Sequence, residues 1–473
     1  YYSVIESMRL ADGQFWPVPI VLAVSKKFAG SLDLGETLAL RDGEGVLLAT
    51  LLVEEQWLPD KNQEARLVYE SEDASHPGVD ALLRSGDVYL SGRLQAVELP
   101  THHDYRHYRQ TPAQLRDHFN ANGCSQVLAL QPHHAIHKAQ WEAACHYAKT
   151  HKAALLIQCH VGLGQPEDRS HFSRIRCHEY TLQQSPEQTP QLNLLNHASR
   201  SSETRELLLT ALILRNCGCT HFMVSPEQGG ILRDYEADLG ICIITTPTIA
   251  NHAPLLVLSD AELSHHLHAG LPVPDGFSFP EVLAEIQNAY PSRLHQGFAI
   301  FLTGLSGSGK STIANALLVK LMEMGGRTIT LLDGDVVRKH LSSELNFSKE
   351  HRDINIRRIG FVASEIVKNG GIAICAPIAP YTSVRREVRS MVSSKGGFIE
   401  VHVSTPLEEC EKRDRKGLYA KARAGILKGF TGIDDPYEIP ENPELRLDTS
   451  NQTPDQCIEQ ILLTLAELGY ITH

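Results

Sequence analysis

A chain of 473 residues has room for about three domains, any of which can bury a sizeable core. Its 42% apolar and 21% charged residues describe an ordinary globular protein. The formal charge of −12 argues against bulk affinity for nucleic acid or an anionic membrane, so any anion site must be local. No apolar run approaches the roughly 18 residues of a membrane span, and no signal-peptide layout opens the sequence. A cytoplasmic protein with neither nucleic-acid nor membrane partners is expected. The ten cysteines are scattered and none forms a CxxC pair, so buried reduced thiols are expected. Two histidine groups, His133, His134 and His137, then His265, His266 and His268, read as surface or degenerate-site residues, because spacing alone does not make a zinc site.

Residues 1–105 read as short strands at 19–24, 38–40, 45–53 and 88–92, separated by turn signals such as Asp12-Gly13 and Asp42-Gly43. This is a small β-rich module of barrel or half-barrel type, without a catalytic constellation.

From 106 to 285 the pattern alternates apolar strands with longer helical segments. Thr111-Pro112 opens a helix in which Thr caps and Pro fills the first turn. Strands follow at 126–130, 153–157 and 221–224, with helices over 138–150 and 203–216. Such alternation implies a parallel sheet covered by helices, whose ligands sit beyond the carboxyl ends of the strands. Chemistry is therefore expected just after Leu130 and Val224.

The block Arg109-x-Thr111-Pro112-Ala113-x-Leu115-Arg116, with His76-Pro77-Gly78-Val79 and Gly218-Cys219-Thr220-His221-Phe222, resembles ATP sulfurylase (sulfate adenylyltransferase). The resemblance implies a PUA-like N-terminal domain and a central nucleotidyltransferase α/β domain. That family carries Q-x-R-N-P-x-H-x-x-H at one strand end. Here Gln131 and His137 match, whereas His133 and His134 replace the Arg and Asn, and Gln140 replaces the second His. The family's G-R-D-H-A-G reads Ser225-Pro226-Glu227-Gln228-Gly229-Gly230, again without the Arg and His. Holding sulfate beside a triphosphate requires fixed positive charge and strong donors. Neutral His133 lacks the guanidinium fork, and Pro226 has neither charge nor a backbone donor. Each such loss removes on the order of a few kcal/mol of transition-state stabilisation, so adenylyltransferase activity is expected to be absent or vestigial.

Residues 260–290 are helical and proline-punctuated, a small lobe and linker leading to a module that starts near Gln296. There an apolar strand over 299–302 enters Gly304-x4-Gly309-Lys310-Ser311 and leaves into a helix with Ile313, Leu317, Leu318 and Leu321 on its apolar face. Glycines let successive N–H groups point at phosphate oxygens, Lys310 neutralises β/γ charge, and the Ser311 hydroxyl can ligate Mg²⁺. The next strand, 328–332, ends in Asp333-Gly334-Asp335-Val336-Val337-Arg338, two carboxylates placed to organise the metal shell and accept a proton. Arg352, Asn355 and Ile359 share a helix face that suits a phosphate-ester acceptor. Strands at 372–378 and 398–403 and a helix over 406–415 follow. A cationic, glycine-hinged stretch over 413–425, then Gly429 to Glu438, reads as a lid that closes over phosphates.

The motifs G-L-S-G-S-G-K-S-T, D-G-D-x-x-R, R-x-x-N-I-R-R-I-G, K-G-L-Y-x-K-A-R-A-G and F-T-G-I-D-D-P-Y-E run in order through residues 296–473. Together they resemble adenylylsulfate (APS) kinase. The resemblance implies a P-loop kinase fold and transfer of the ATP γ-phosphoryl group to the 3′-hydroxyl of APS, giving PAPS and ADP, with Mg²⁺. It implies an ATP site of Gly304, Ser306, Gly307, Ser308, Gly309, Lys310, Ser311 and Thr312, with Arg413 and Thr449 at the base. Asp333 becomes the general base, with Asp335 beside metal and substrate. Arg338, Arg352 and Asn355 hold the APS phosphosulfate and ribose. Phe347 and Phe430 sandwich its adenine, while Ile378, Ala379, Lys416, Gly417, Leu418 and Thr431 complete the pocket. Some members carry Ser where this chain has Ala379, so direct in-line transfer is expected.

The leading expectation is an APS kinase fused to a sulfurylase-like scaffold. A bifunctional enzyme making PAPS from sulfate and ATP is the alternative, and a nucleotide-dependent regulatory protein a reading of another class. Both resembled families imply a homo-oligomer.

Overall fold

The computed structural model describes residues 1–161, 169–185, 190–197, 201–245, 258–346 and 348–472. Phe347, expected against the adenine, lies outside them. The chain divides into two units, residues 1–257 with 274–289 and residues 258–273 with 290–473.

In the first unit, β1 (Leu22–Val24), β2 (Thr37–Arg41), β3 (Leu47–Trp57) and β4 (Val88–Ala96) form an antiparallel sheet in the order β1-β4-β3-β2. This PUA-like sheet packs Leu51, Val53, Val88 and Leu90 inward. At Gly92 a Cβ would lie 1.8 Å from the Leu52 carbonyl oxygen, so only glycine lets the two strands approach there. Strand periodicity did not announce the helices Lys61–Val68 and Pro77–Arg84 inserted between β3 and β4. Each has its own N-cap, Asp60 and His76, whose side chains accept backbone N–H bonds.

The second sheet of this unit is parallel: β5 (Val127–Leu130), β6 (Ala154–Val161), β7 (Gln191–Asn196), β8 (His221–Val224) and β9 (Cys242–Thr245), in the order β7-β6-β5-β8-β9. All four residues of β5 are buried, as a central strand covered on both faces requires. Thr111 forms a reciprocal capping box with Gln114, and Pro112 occupies the first turn, as expected. The chain runs outward through β5, β6 and β7, then returns to place β8 on the other side of β5. The switch point therefore falls between the strands that carry the two sulfurylase-like motifs.

The helical stretch read over 260–290 divides: Pro280–Ala289 packs on Arg169–Gln183, with Arg176 and Glu285 paired at 2.6 Å, whereas Asp260–Ala269 falls in the second unit.

In the second unit, β10 (Phe298–Thr303), β11 (Ile329–Asp333), β12 (Ile372–Ala376), β13 (Gly397–Val403) and β14 (Leu445–Leu447) pair in parallel, in the order β11-β12-β10-β13-β14. β10 is central and wholly buried. Phe298, Ile300 and Leu302 face one core with Leu317 and Ile461; Ala299 and Phe301 face the other with Ile359 and Val388. Period-two alternation thus feeds two helix layers. Among the described residues no helix is long and apolar enough to cross a membrane. All ten cysteines are unpaired; seven are buried, and Cys242 departs from the expectation by being exposed.

Candidate active site

The carboxyl end of β10 runs straight into the phosphate loop. Its shape is set by backbone demands: a Cβ on Gly304 would lie 2.4 Å from the Val403 carbonyl oxygen, and Gly307 and Gly309 take φ of +75° and +103°. The loop rests on neighbours. The Thr449 hydroxyl donates to the Ser308 carbonyl at 2.9 Å, and Tyr419 OH donates to that of Ser306 at 2.8 Å. Arg413 in turn grips Thr449 through its hydroxyl and carbonyl oxygens, each at 2.7 Å, which brings together the two residues expected at the ATP base.

Lys310 is buried, and its ammonium donates to the carbonyls of Gly304 at 2.9 Å and Leu305 at 2.7 Å. Burial pulls its pKa down from 10.5 to about 8. The next two residues, Ser311 and Thr312, are exposed at the start of the helix Lys310–Met324. Ser311 Oγ donates to Asp333 Oδ2 at 2.8 Å. Asp333 ends β11 and caps the helix Gly334–His340, its Oδ1 accepting the Asp335 N–H at 2.9 Å. One carboxylate oxygen is thus structural while the other faces the phosphate loop. A serine hydroxyl and a carboxylate side by side are hard oxygen donors of the kind Mg²⁺ takes, so these residues fit that ion. Asp335, two residues on, pairs with Lys416.

Arg352 and Asn355, expected on the acceptor side, stand on the helix Lys349–Lys368, capped by Ser348. Asn355 is buried, and its Oδ1 has no hydrogen-bond partner. Arg352 Nη1 donates to Thr431 Oγ1 at 2.8 Å and lies 3.0 Å from Asp435; its Nη2 donates to Tyr381 OH at 2.9 Å. Arg338 donates to the Asn346 carbonyl at 3.2 Å. Phe430 meets Tyr419 edge to face, ring centroids 5.0 Å apart. The Ile378 carbonyl accepts from Thr303 Oγ1 at 2.7 Å. Ala379 follows with φ +47°, buried, its carbonyl held by Arg385 at 2.8 Å. In the lid, Gly417 takes φ +62° ahead of the helix Leu418–Arg423, and Asp414 accepts the N–H groups of Tyr419 and Ala420. Sequence reasoning gave no role to Tyr381, Asp435 or Tyr419, although the last two stood inside quoted motifs. Their partners lie too far along the chain for spacing to reveal.

At the carboxyl ends of β5 and β8 the arrangement differs. His133 and His134 are exposed, and Gln131 Nε2 is buried without a partner. His137 Nδ1 lies 2.9 Å from Ser278 Oγ and its ring packs 4.3 Å from Phe277, while Gln140 follows in the helix Lys138–His151. Ser225 and Gln228 form a capping box around Pro226, leaving Glu227 exposed on the first turn of Pro226–Arg233. A carboxylate therefore stands at this strand end. Arg174, which the sequence did not single out, brings a guanidinium near, donating to the His133 and His160 carbonyls at 3.3 Å each. Among the described residues no group of three or more His, Cys, Asp or Glu side chains could hold a metal ion.

Comparison with known proteins gives three family matches: a PUA-like domain over residues 1–99, ATP-sulfurylase over 106–246 and adenylylsulphate kinase over 296–448. A sulfate adenylyltransferase of Phaeosphaeria nodorum is 39% identical, covering 100% of this chain and 89% of its own. One of Aspergillus oryzae is 40% identical, covering 99% and 88%. A solved structure described as a hexameric APS kinase from Thiobacillus denitrificans is 39% identical with a TM-score of 0.80, covering 99% of this chain and 87% of its own. With all three segments matched in order and full-length relatives on both sides of the name, the chain belongs to the family in which a PUA-like, an ATP-sulfurylase and an APS kinase domain are fused in one polypeptide.

Proposed function

We propose that the second unit is an APS kinase, transferring the ATP γ-phosphoryl group to the 3′-hydroxyl of APS. The observation that carries the reading is the convergence of Lys310, Ser311 and Asp333 where β10 and β11 end, with Arg352 brought to the same carboxyl edge of the sheet by its bond to Tyr381, just beyond β12. Amides of 304–309 and the Lys310 ammonium hold the triphosphate, the ammonium exchanging its two carbonyl partners for phosphate oxygens. Bound Mg²⁺ supplies charge neutralisation at the β- and γ-phosphates. Asp333 accepts the proton of the attacking hydroxyl, since its position at the strand end is fixed by its capping bond. Arg338, Arg352 and Asn355 bind APS, and Phe430 offers its adenine an aromatic face. Ala379 has no hydroxyl to phosphorylate, which leaves direct in-line transfer. ADP release that requires APS, and that Lys310→Ala abolishes, tests this; ATP turnover indifferent to APS would point to a regulatory nucleotide switch instead.

For the sulfurylase-like domain, the names of the fungal relatives favour a bifunctional enzyme that makes PAPS from sulfate and ATP. The residues at its strand ends favour a scaffold: the two motif arginines are His133 and Pro226, and Glu227 opposes a sulfate and a triphosphate electrostatically. Sulfate-dependent pyrophosphate exchange by the purified protein decides, its presence establishing the bifunctional reading. The hexameric relative supports a homo-oligomer, which a solution mass tests.

A further inference from the structure

The adenine-stacking loop and the anion-gripping helix of the APS pocket come from chain segments some distance apart, and one small polar cluster joins them. Both terminal nitrogens of Arg352 are taken, Nη1 by Thr431 and Asp435 and Nη2 by Tyr381 OH, and that hydroxyl donates onward to both Asp435 oxygens at 2.9 Å. The side chains of Arg352 and Asp435 are only 12% and 18% exposed. The Lys349 ammonium sits 4.5 Å from the centre of the Tyr381 ring, a cation–π contact that helps hold the ring. What remains unpartnered and buried is Arg352 Nε and, one turn on, Asn355 Oδ1.

We infer that Asp435 and Tyr381 are positioning residues for APS, clamping the Arg352 guanidinium so that its Nε edge and Asn355 face the acceptor while Phe430, five residues before Asp435, is held at a fixed distance. This rests on the APS kinase reading. A clamped guanidinium loses little freedom when the acceptor binds, so the contribution appears in APS affinity. The same loop also reaches the ATP side, because Tyr437 OH lies 2.9 Å from Thr303 Oγ1 at the mouth of the phosphate loop. Simple loosening of residues 430–438 would therefore disturb both substrates, whereas loss of the clamp disturbs one.

The test is steady-state kinetics on the full-length protein with Asp435→Asn, Tyr381→Phe and the double variant. Removing one member of a mostly buried charge-assisted pair is expected to raise the KM for APS about tenfold or more, with the KM for ATP moving less than about twofold. Because the hydroxyl and the carboxylate act through one guanidinium, the double variant should be no worse than Asp435→Asn alone. Asp435→Glu should recover part of the loss. Parallel rises in both KM values, independent effects that multiply, or an unchanged KM for APS would each overturn the inference while leaving the kinase assignment standing. Absence of APS-dependent turnover in the unaltered protein would remove the assignment and the inference with it.

Discussion

Asp333→Asn separates two tasks that one side chain performs. Its Oδ1 caps the helix Gly334–His340 through the Asp335 N–H, and an amide oxygen keeps that bond. Its Oδ2 accepts from Ser311 and is the proposed proton acceptor, which an amide cannot be. Loss of a general base slows turnover by roughly 10²–10⁴, or about 3–5 kcal/mol of barrier. Loss of the cap, by contrast, is worth about 1 kcal/mol of stability. Asp333→Asn should therefore cut kcat by two to four orders, at saturating APS, with little change in melting temperature, whereas Asp333→Ala should show both effects. Asp335→Asn breaks only an exposed pair with Lys416 and should cost far less. The assay is ADP release coupled to a dehydrogenase, beside thermal unfolding of each variant. Retention of more than about a tenth of kcat by Asp333→Asn would refute the base assignment, and a larger loss in Asp335→Asn would transfer it to that residue.

Gly304→Ala should abolish binding of an ATP analogue, because its Cβ would meet the Val403 carbonyl oxygen at 2.4 Å and neither central strand can yield; normal titration would show that the loop adapts. Gly360→Ala would place a Cβ 2.7 Å from Val388, where the helices Lys349–Lys368 and Thr382–Ser393 touch, and should destabilise the second unit by about 1–3 kcal/mol on denaturant unfolding. In the first unit, burial pushes the pKa of His178 down to about 3, and neither ring nitrogen has a hydrogen-bond partner. Between the ordinary value near 6.5 and about 3 the unfolded chain binds a proton that the native one refuses, so stability falls as pH falls, by on the order of 4 kcal/mol at the end of that window. His178→Leu should flatten that slope, and an unaltered acid transition would place the titrating group elsewhere.

The candidate site was legible where its chemistry is local. Gly307 and Gly309 need positive φ, Ser311 and Lys310 follow directly in the helix, and Asp333 sits at a strand end that a turn signal marks. The cap at Thr111 was legible for the same reason. The helices Lys61–Val68 and Pro77–Arg84 were not, because each is short and the strands around them dominate the periodicity. Nor was Arg174, whose partners are backbone carbonyls and leave no trace in residue type.

By itself the sequence determined the alternation of strands and helices in the central and C-terminal segments, the phosphate loop with its lysine and carboxylates, and the erosion of the two sulfurylase-like motifs. These depend on short-range backbone preferences and on which functional groups exist at all. Only the tertiary structure decided that Lys310 lies against two carbonyls, that Arg352 is clamped by Tyr381 and Asp435, and that the eroded motifs end in an exposed glutamate at a capped helix. The reason is physical: those contacts join groups far apart along the chain, and only the pairing of buried strands brings them within hydrogen-bonding reach.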